Sequence, residues 1–137
     1  MLIKKTTFHV AVLFCFYSIV SISQNQKKAD SLIAIYKSGT YKDNVLELLN
    51  NIAFNETNPD VTLQYCELLI GRATDEASIY FLQKAYAYKG DALQLKGDYV
   101  QANNAFFKSL EYANKLKDQT AIGRATIFHC QYLFHDR

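Results

Sequence analysis

Beyond residue 23, few side chains of this 137-residue chain are suited to chemistry. His129 and His135 are the only histidines there, and Cys66 and Cys130 the only cysteines. Two histidines six residues apart lie on different faces of a helix, because same-face metal ligands need a spacing of three or four. Cys130 adds nothing to His129, since adjacent helical residues point about 100° apart. No serine or cysteine has a base at a spacing that would activate it. Gly97 and Gly123 stand alone, so no glycine-rich loop is present to cradle a phosphate. The expectation is therefore a protein without catalysis of its own, without a metal and without a cofactor. Asn55-Glu56-Thr57 fits an N-glycosylation acceptor, but the triplet is common by chance and serves here only as a loop signal.

The elements that would position a site must be read from the rest of the chain, which is one domain's worth. Its first 23 residues have the layout of a secretory signal peptide. Lys4 and Lys5 precede the uncharged apolar run Val10 to Val20, and Ser21-Ile22-Ser23 places small residues before Gln24. The run falls short of the roughly 20 residues of a membrane span, so an uncleaved anchor is the weaker alternative. Export to a bacterial periplasm, or to another extracytoplasmic face, is expected. The net charge of +2 comes from Lys4 and Lys5, which leave 13 basic against 13 acidic residues in the remainder. That balance excludes nucleic acid and anionic membrane surfaces as expected partners. Cys66 and Cys130 both fall where a helical repeat wants a small residue, and two cysteines do not make a disulfide framework.

Gln24 to Lys28 reads as a polar, disordered leader, and Asp30 to Lys37 as a short helix stopped by Ser38-Gly39. Together they fill residues 24–42. A second helix starts at Asp43 or Asn44 and runs to about Phe54. Asn58-Pro59-Asp60 opens a third, with asparagine as cap and proline at the first helical position. Thr74-Asp75-Glu76 caps a fourth that reaches Lys96, and Asp98 with Gln101 makes a capping-box-like start for a fifth, Tyr99 to about Lys117. Asp118 or Thr120 begins a last helix. No sustained alternation signals a strand. An all-α chain of antiparallel helix pairs is the expectation.

Internal similarity organises these helices. Gly90 and Cys130 are 40 residues apart, each deep in the first helix of a pair, and Ala53 is a looser equivalent one pair earlier. Thr62, Cys66 and Leu69 stand to the first pair as Ala102, Phe106 and Ser109 stand to the second. Residues 83–116 resemble a tetratricopeptide repeat, the 34-residue helix–turn–helix unit. Tyr86 stands at its first large aromatic position, Gly90 at its close-contact glycine, and Leu93 on the same face. The Gly97-Asp98-Tyr99 turn, Ala102, Phe106 and Leu110 follow. Lys89, Ser109 and Asn114 depart from the pattern, where leucine, alanine and proline are usual. The resemblance implies a short, stacked tetratricopeptide-like α-solenoid over residues 43–137: a degenerate repeat at 43–74, the best one at 75–117, and the first helix of an incomplete one at 118–137. Small residues at Gly90, Ala102 and Cys130 are expected to let helices approach, with Tyr86, Tyr99 and Phe106 filling the space beside them. In the last helix, Ile122, Ala125, Thr126, His129, Cys130 and Leu133 should form the packing face. Ile127, Phe128, Tyr132 and Phe134 cover the rest and call for a second partner, such as another copy of the chain.

The resemblance also implies a partner-binding groove lined by the first helix of each pair. Carried over, its positions are Asn51 in the first repeat, Lys84, Tyr88, Asp91 and Gln94 in the second, and Arg124 and Phe128 in the third. Lys84 and Arg124 would share one wall and suit a carboxylate or acidic segment. The leading expectation is an exported module that acts by protein–protein contact. The alternative is a sensor part: the layout resembles the extracytoplasmic N-terminal region of bacterial tetratricopeptide signalling proteins, in which a histidine kinase, nucleotide cyclase or DNA-binding output follows. A third is a scaffold for nutrient uptake at an outer membrane.

Overall fold

The computed structural model of the chain describes residues 25–41 and 44–135, with side chains through Phe128 except that of Ala77. The signal segment, Asp43 and the side chains of His129, Cys130 and His135 lie outside the described residues. Six helices follow one another: α1 (residues 25–38), α2 (Val45–Asn55), α3 (Pro59–Arg72), α4 (Ile79–Leu95), α5 (Tyr99–Leu116) and α6 (Gln119–His135). Successive helices pack as antiparallel neighbours, and α2 also touches α4 directly. No strand occurs among the described residues, and none of their helices is long and apolar enough to cross a membrane.

Short polar side chains set the helix starts. Asn44 Oδ1 accepts from the Glu47 amide at 3.1 Å, and Asn58 Oδ1 from the Asp60 amide at 2.9 Å with Pro59 at the first position. Asp98 Oδ1 accepts from the Gln101 amide, while Gln101 Nε2 donates to the other carboxylate oxygen at 2.6 Å. In a capping box that side chain would reach the backbone amide of Asp98, but the amide is already given to the Leu93 carbonyl. Asp118 Oδ1 accepts from both Thr120 and Ala121. The helix α4 starts differently from the sequence expectation. Asp75 heads a 3₁₀ turn, Glu76–Ser78, and its carboxylate accepts the Ser78 hydroxyl before the α-helix proper begins.

The two turns around α5 are built alike. Asp98 N–H donates to Leu93 O, and Asp118 N–H to Ala113 O, each closing over a residue in the left-handed region. At the first turn that residue is Gly97, with φ of 80°; at the second it is Lys117, with φ of 56°. Nothing in the sequence signalled a lysine there.

Residues 25–28, expected in a disordered leader, are helical. The chain is helical from Asn25, because Ala29, Leu32, Ile33 and Tyr36 form one face that packs onto α2 and α3. Ala29 is fully buried, and Gln26 accepts from the Thr57 amide at 3.1 Å and from the Thr57 hydroxyl. The same loop hides the glycosylation triplet. Asn55 is 3% exposed and its Nδ2 donates to Asn51 O at 2.7 Å, so its amide nitrogen is not presented to solvent.

One core cluster joins Leu49, Ile52 and Ala53 of α2 to Tyr65, Cys66 and Leu69 of α3 and Ala85 of α4; a second joins Leu93 of α4 to Ala102, Ala105 and Phe106 of α5. The equivalent triplets Thr62, Cys66, Leu69 and Ala102, Phe106, Ser109 are all buried. A Cβ placed on Gly90 would lie 2.5–2.8 Å from three ring carbons of Phe106, so only glycine admits that ring. On its other side the ring stacks on Phe128, with centroids 4.4 Å apart. Phe128 is thus packed inward, whereas Thr126, expected on the packing face, is exposed and donates to Ile122 O. Tyr86 stacks on Tyr112. Tyr99 does not fill the space beside the small residues. It is 49% exposed at the first position of α5, and the atoms nearest the gap at Gly90 belong to Phe106.

Candidate partner-binding groove

The helix α4 lies between α2 and α6 and offers them one face, on which Lys84, Tyr88 and Asp91 recur at spacings of four and three. Arg124 meets that face from α6. These four residues line two adjoining hollows. One is a cleft of about 260 Å³ that extends to Ala53 and Phe54 of α2 and to Leu95. The other is a smaller chamber between α4 and α6, lined also by Gln83, Ala121 and Phe128. Five of the seven expected groove residues therefore come together: Lys84, Tyr88, Asp91, Arg124 and Phe128.

Asn51 and Gln94 do not. Asn51 Nδ2 is held by Glu47 Oε1 at 3.0 Å along α2, and Gln94 lines neither hollow. The face that begins at Asn51 continues one turn on at Phe54, which is 64% exposed and meets the Tyr88 ring at 5.9 Å. Leu95, 76% exposed, follows Asp91 by one turn. Helical periodicity signalled both residues, had the face been extended. Gln83 gave no such sign, since a glutamine reads as surface.

Burial has shaped the electrostatics of this face. It pushes the Tyr88 hydroxyl up to about 12, aided by Tyr80 and opposed by Arg124, so the group stays a neutral donor. Burial also raises the Asp91 carboxyl above its ordinary value, with Arg124 pulling the other way. Asp91 and Arg124 feel each other but close no ion pair within 4 Å. Lys84 Nζ sits 5.5 Å from the Tyr80 ring centroid, an arrangement that holds its charge at the rim.

Cys66, by contrast, is a core residue. It is fully buried, and burial pushes its thiol up to about 12, which suppresses the thiolate needed for reaction. No cluster of three His, Cys, Asp or Glu side chains able to hold a metal occurs among the described residues. What the groove can do chemically is bind: two cations, one strained carboxylate and a phenol stand around exposed apolar and aromatic surface. Compared with known protein families, curated proteins and solved structures, the chain finds no match.

Proposed function

We propose that this chain is an exported helical-repeat module of the tetratricopeptide type that binds a protein partner, through an extended segment, along the face shared by α2, α4 and α6. The partner segment carries a carboxylate for Lys84 and Arg124 and apolar side chains for Phe54, Tyr88 and Leu95. The supporting observation is the convergence of Lys84, Tyr88, Asp91 and Arg124, from two helices 40 residues apart in register, on the two adjoining hollows. The fit of Phe106 against Gly90, and the matched burial of the two triplets on α3 and α5, support the repeat reading.

Fluorescence polarisation with a panel of labelled peptides rich in Asp and Glu tests the proposal. Replacing Lys84 and Arg124 together by alanine should weaken the tightest binder about tenfold, the sum of two partly exposed charge pairs. Unchanged affinity in the double variant removes the groove from consideration.

A further inference from the structure

The wider cleft between α2, α4 and α6 holds charges of both signs that do not satisfy one another. Its walls carry Lys84 and Arg124 against Asp91 and Glu56. Glu56 is occupied. Its Oε1 accepts from the Thr57 and Asn58 amides at 2.9 and 2.8 Å, and its Oε2 from Gln26 Nε2 at 3.2 Å. Asp91 is not: among the described residues its carboxylate enters no ion pair within 4 Å and no hydrogen bond, and the same holds for the Arg124 guanidinium and the Tyr88 hydroxyl. These three groups are nevertheless neighbours, since Arg124 acts electrostatically on both Asp91 and Tyr88, and Asp91 on Tyr88. Unpartnered side-chain oxygens sealed from solvent are those of Asn50 and Gln83 among the described residues, so the Asp91 carboxylate and the Tyr88 hydroxyl stay within reach of a ligand.

Apolar surface stands beside the charges. The exposed Phe54 ring tilts against the Tyr88 ring, Leu95 is more exposed still, and Ala53 and Ala92 leave room between them. The volume of about 260 Å³ is just under the roughly 300–1,000 Å³ of small-molecule sites, which suits a ligand of about the size of one amino acid. A lone carboxylate would answer Lys84 and Arg124 but stand against Asp91 and Glu56. A lone ammonium would answer Asp91 and face both cations. A neutral apolar molecule would bury Asp91 further and leave it unpaired, at a cost. A zwitterion answers both signs, and its two charged groups, one carbon apart, span the gap that Asp91 and Arg124 leave open.

We propose that this cleft binds a free α-amino acid with an apolar or aromatic side chain, its ammonium on Asp91, its carboxylate on Arg124 and Lys84, and its side chain on Phe54 and Leu95. The proposal shares the face of the groove described above but goes beyond its ligand. Because both ligands use Lys84 and Arg124, the amino acid displaces the segment.

NMR titrations of the full chain with L-phenylalanine, 3-phenylpropionate and 2-phenylethylamine test it, since the last two each lack one of the charges. Phenylalanine should give saturable shifts at the Leu95 methyls and the Phe54 ring, and each analogue should bind about tenfold more weakly. Asp91→Asn should weaken phenylalanine about tenfold and strengthen 3-phenylpropionate, whose opposing carboxylate is gone. Arg124→Ala should weaken phenylalanine but not 2-phenylethylamine. No saturation with phenylalanine, an analogue that binds wild type as tightly, or an Asp91→Asn protein that keeps the wild-type preference overturns the proposal. If acidic peptides still depend on Lys84 and Arg124 in that case, only the amino acid falls; if they do not, the groove falls with it.

Discussion

Replacing Gly90 by alanine should destabilise the protein, although the same change at an open helical glycine should stabilise it. An alanine in a helix interior is favoured over glycine by about 1 kcal/mol. At Gly90 the added methyl would stand 2.5–2.8 Å from three Phe106 ring carbons, about 1 Å inside the ordinary contact distance. The ring has no easy retreat. It is 5% exposed, and Phe128 stacks on its far side with centroids 4.4 Å apart. Overpacking of this kind costs about 1–3 kcal/mol, and pinning on both faces favours the upper half. After the propensity gain, a net loss of about 1–2 kcal/mol remains, or a fall in Tm on the order of 5–15 °C. Gly123→Ala is the control: no heavy atom lies within 4 Å of its Cβ, so its Tm should rise by a few degrees. Thermal melts followed by circular dichroism suffice for both. Phe106→Leu in the Gly90→Ala background should recover part of the loss, giving a coupling of about 0.5–3 kcal/mol in the double-mutant cycle. A Gly90→Ala protein that melts at or above the wild-type temperature, or a loss that is the same with leucine at 106, would refute the contact.

Two further changes probe the groove and the second turn. Asp91→Asn should raise Tm by a few degrees at pH 7. Its carboxyl is raised in the folded state, so folding favours the protonated form and the ionised form costs stability. That cost appears as pH rises above the ordinary value of 3.8, so wild type and variant should converge in melts below it; a gain that persists at low pH would assign the effect to packing instead. Lys117→Gly should stabilise by up to about 1.6 kcal/mol: it relieves about 1–2 kcal/mol of left-handed strain, less about 0.4–1 kcal/mol for the looser unfolded chain. Lys117→Ala keeps the strain and should leave Tm unchanged, so equal melts for the glycine and alanine variants would count against this account.

Much of the fold was legible because local chemistry and periodicity agreed. Asn44, Asn58, Asp98 and Asp118 read as caps and act as caps. Gly90 was recognisable because a glycine inside a strong helical pattern needs a packing reason, and Phe106 supplies it. The failures lie where tertiary contacts outweigh local signals. The polarity of residues 24–28 suggested a leader, but one buried alanine and three apolar residues further on were enough to draw residues 25–28 into a helix. Lys117 adopts a glycine's conformation because Asp118 must cap α6 and return its amide to Ala113, and no residue pattern announces that. In the groove, Lys84, Tyr88, Asp91 and Arg124 were named from the resemblance to a helical repeat, and they line the same two hollows. Gln83 could not be named, since a glutamine reads as surface until its buried pairing with Ser109 is seen.

The distribution of unresolved polarity bears on where function lies. At the helix ends, side chains meet most needs: four starts are capped, and both turns around α5 return their amides to the preceding helix. Ion pairs such as Lys89 with Glu67 at 2.5 Å sit exposed across α3 and α4, where they contribute little and harm nothing. Two buried side-chain oxygens are left without a donor among the described residues, those of Asn50 and Gln83. Asn50 lies within α2 and lines neither hollow, whereas Gln83 lines the chamber beside a face that already carries the raised Asp91 carboxyl and the raised Tyr88 hydroxyl. A stack of helices needs none of these polar groups to hold together; alanine, leucine or phenylalanine in their places would pack as the rest of the core does. Their presence on one side of α4, next to the most exposed apolar residue on the described surface, Leu95, is a stability cost concentrated on one face. Perturbed groups clustered in a cleft are the physical ground for proposing this face, rather than another, as the binding groove.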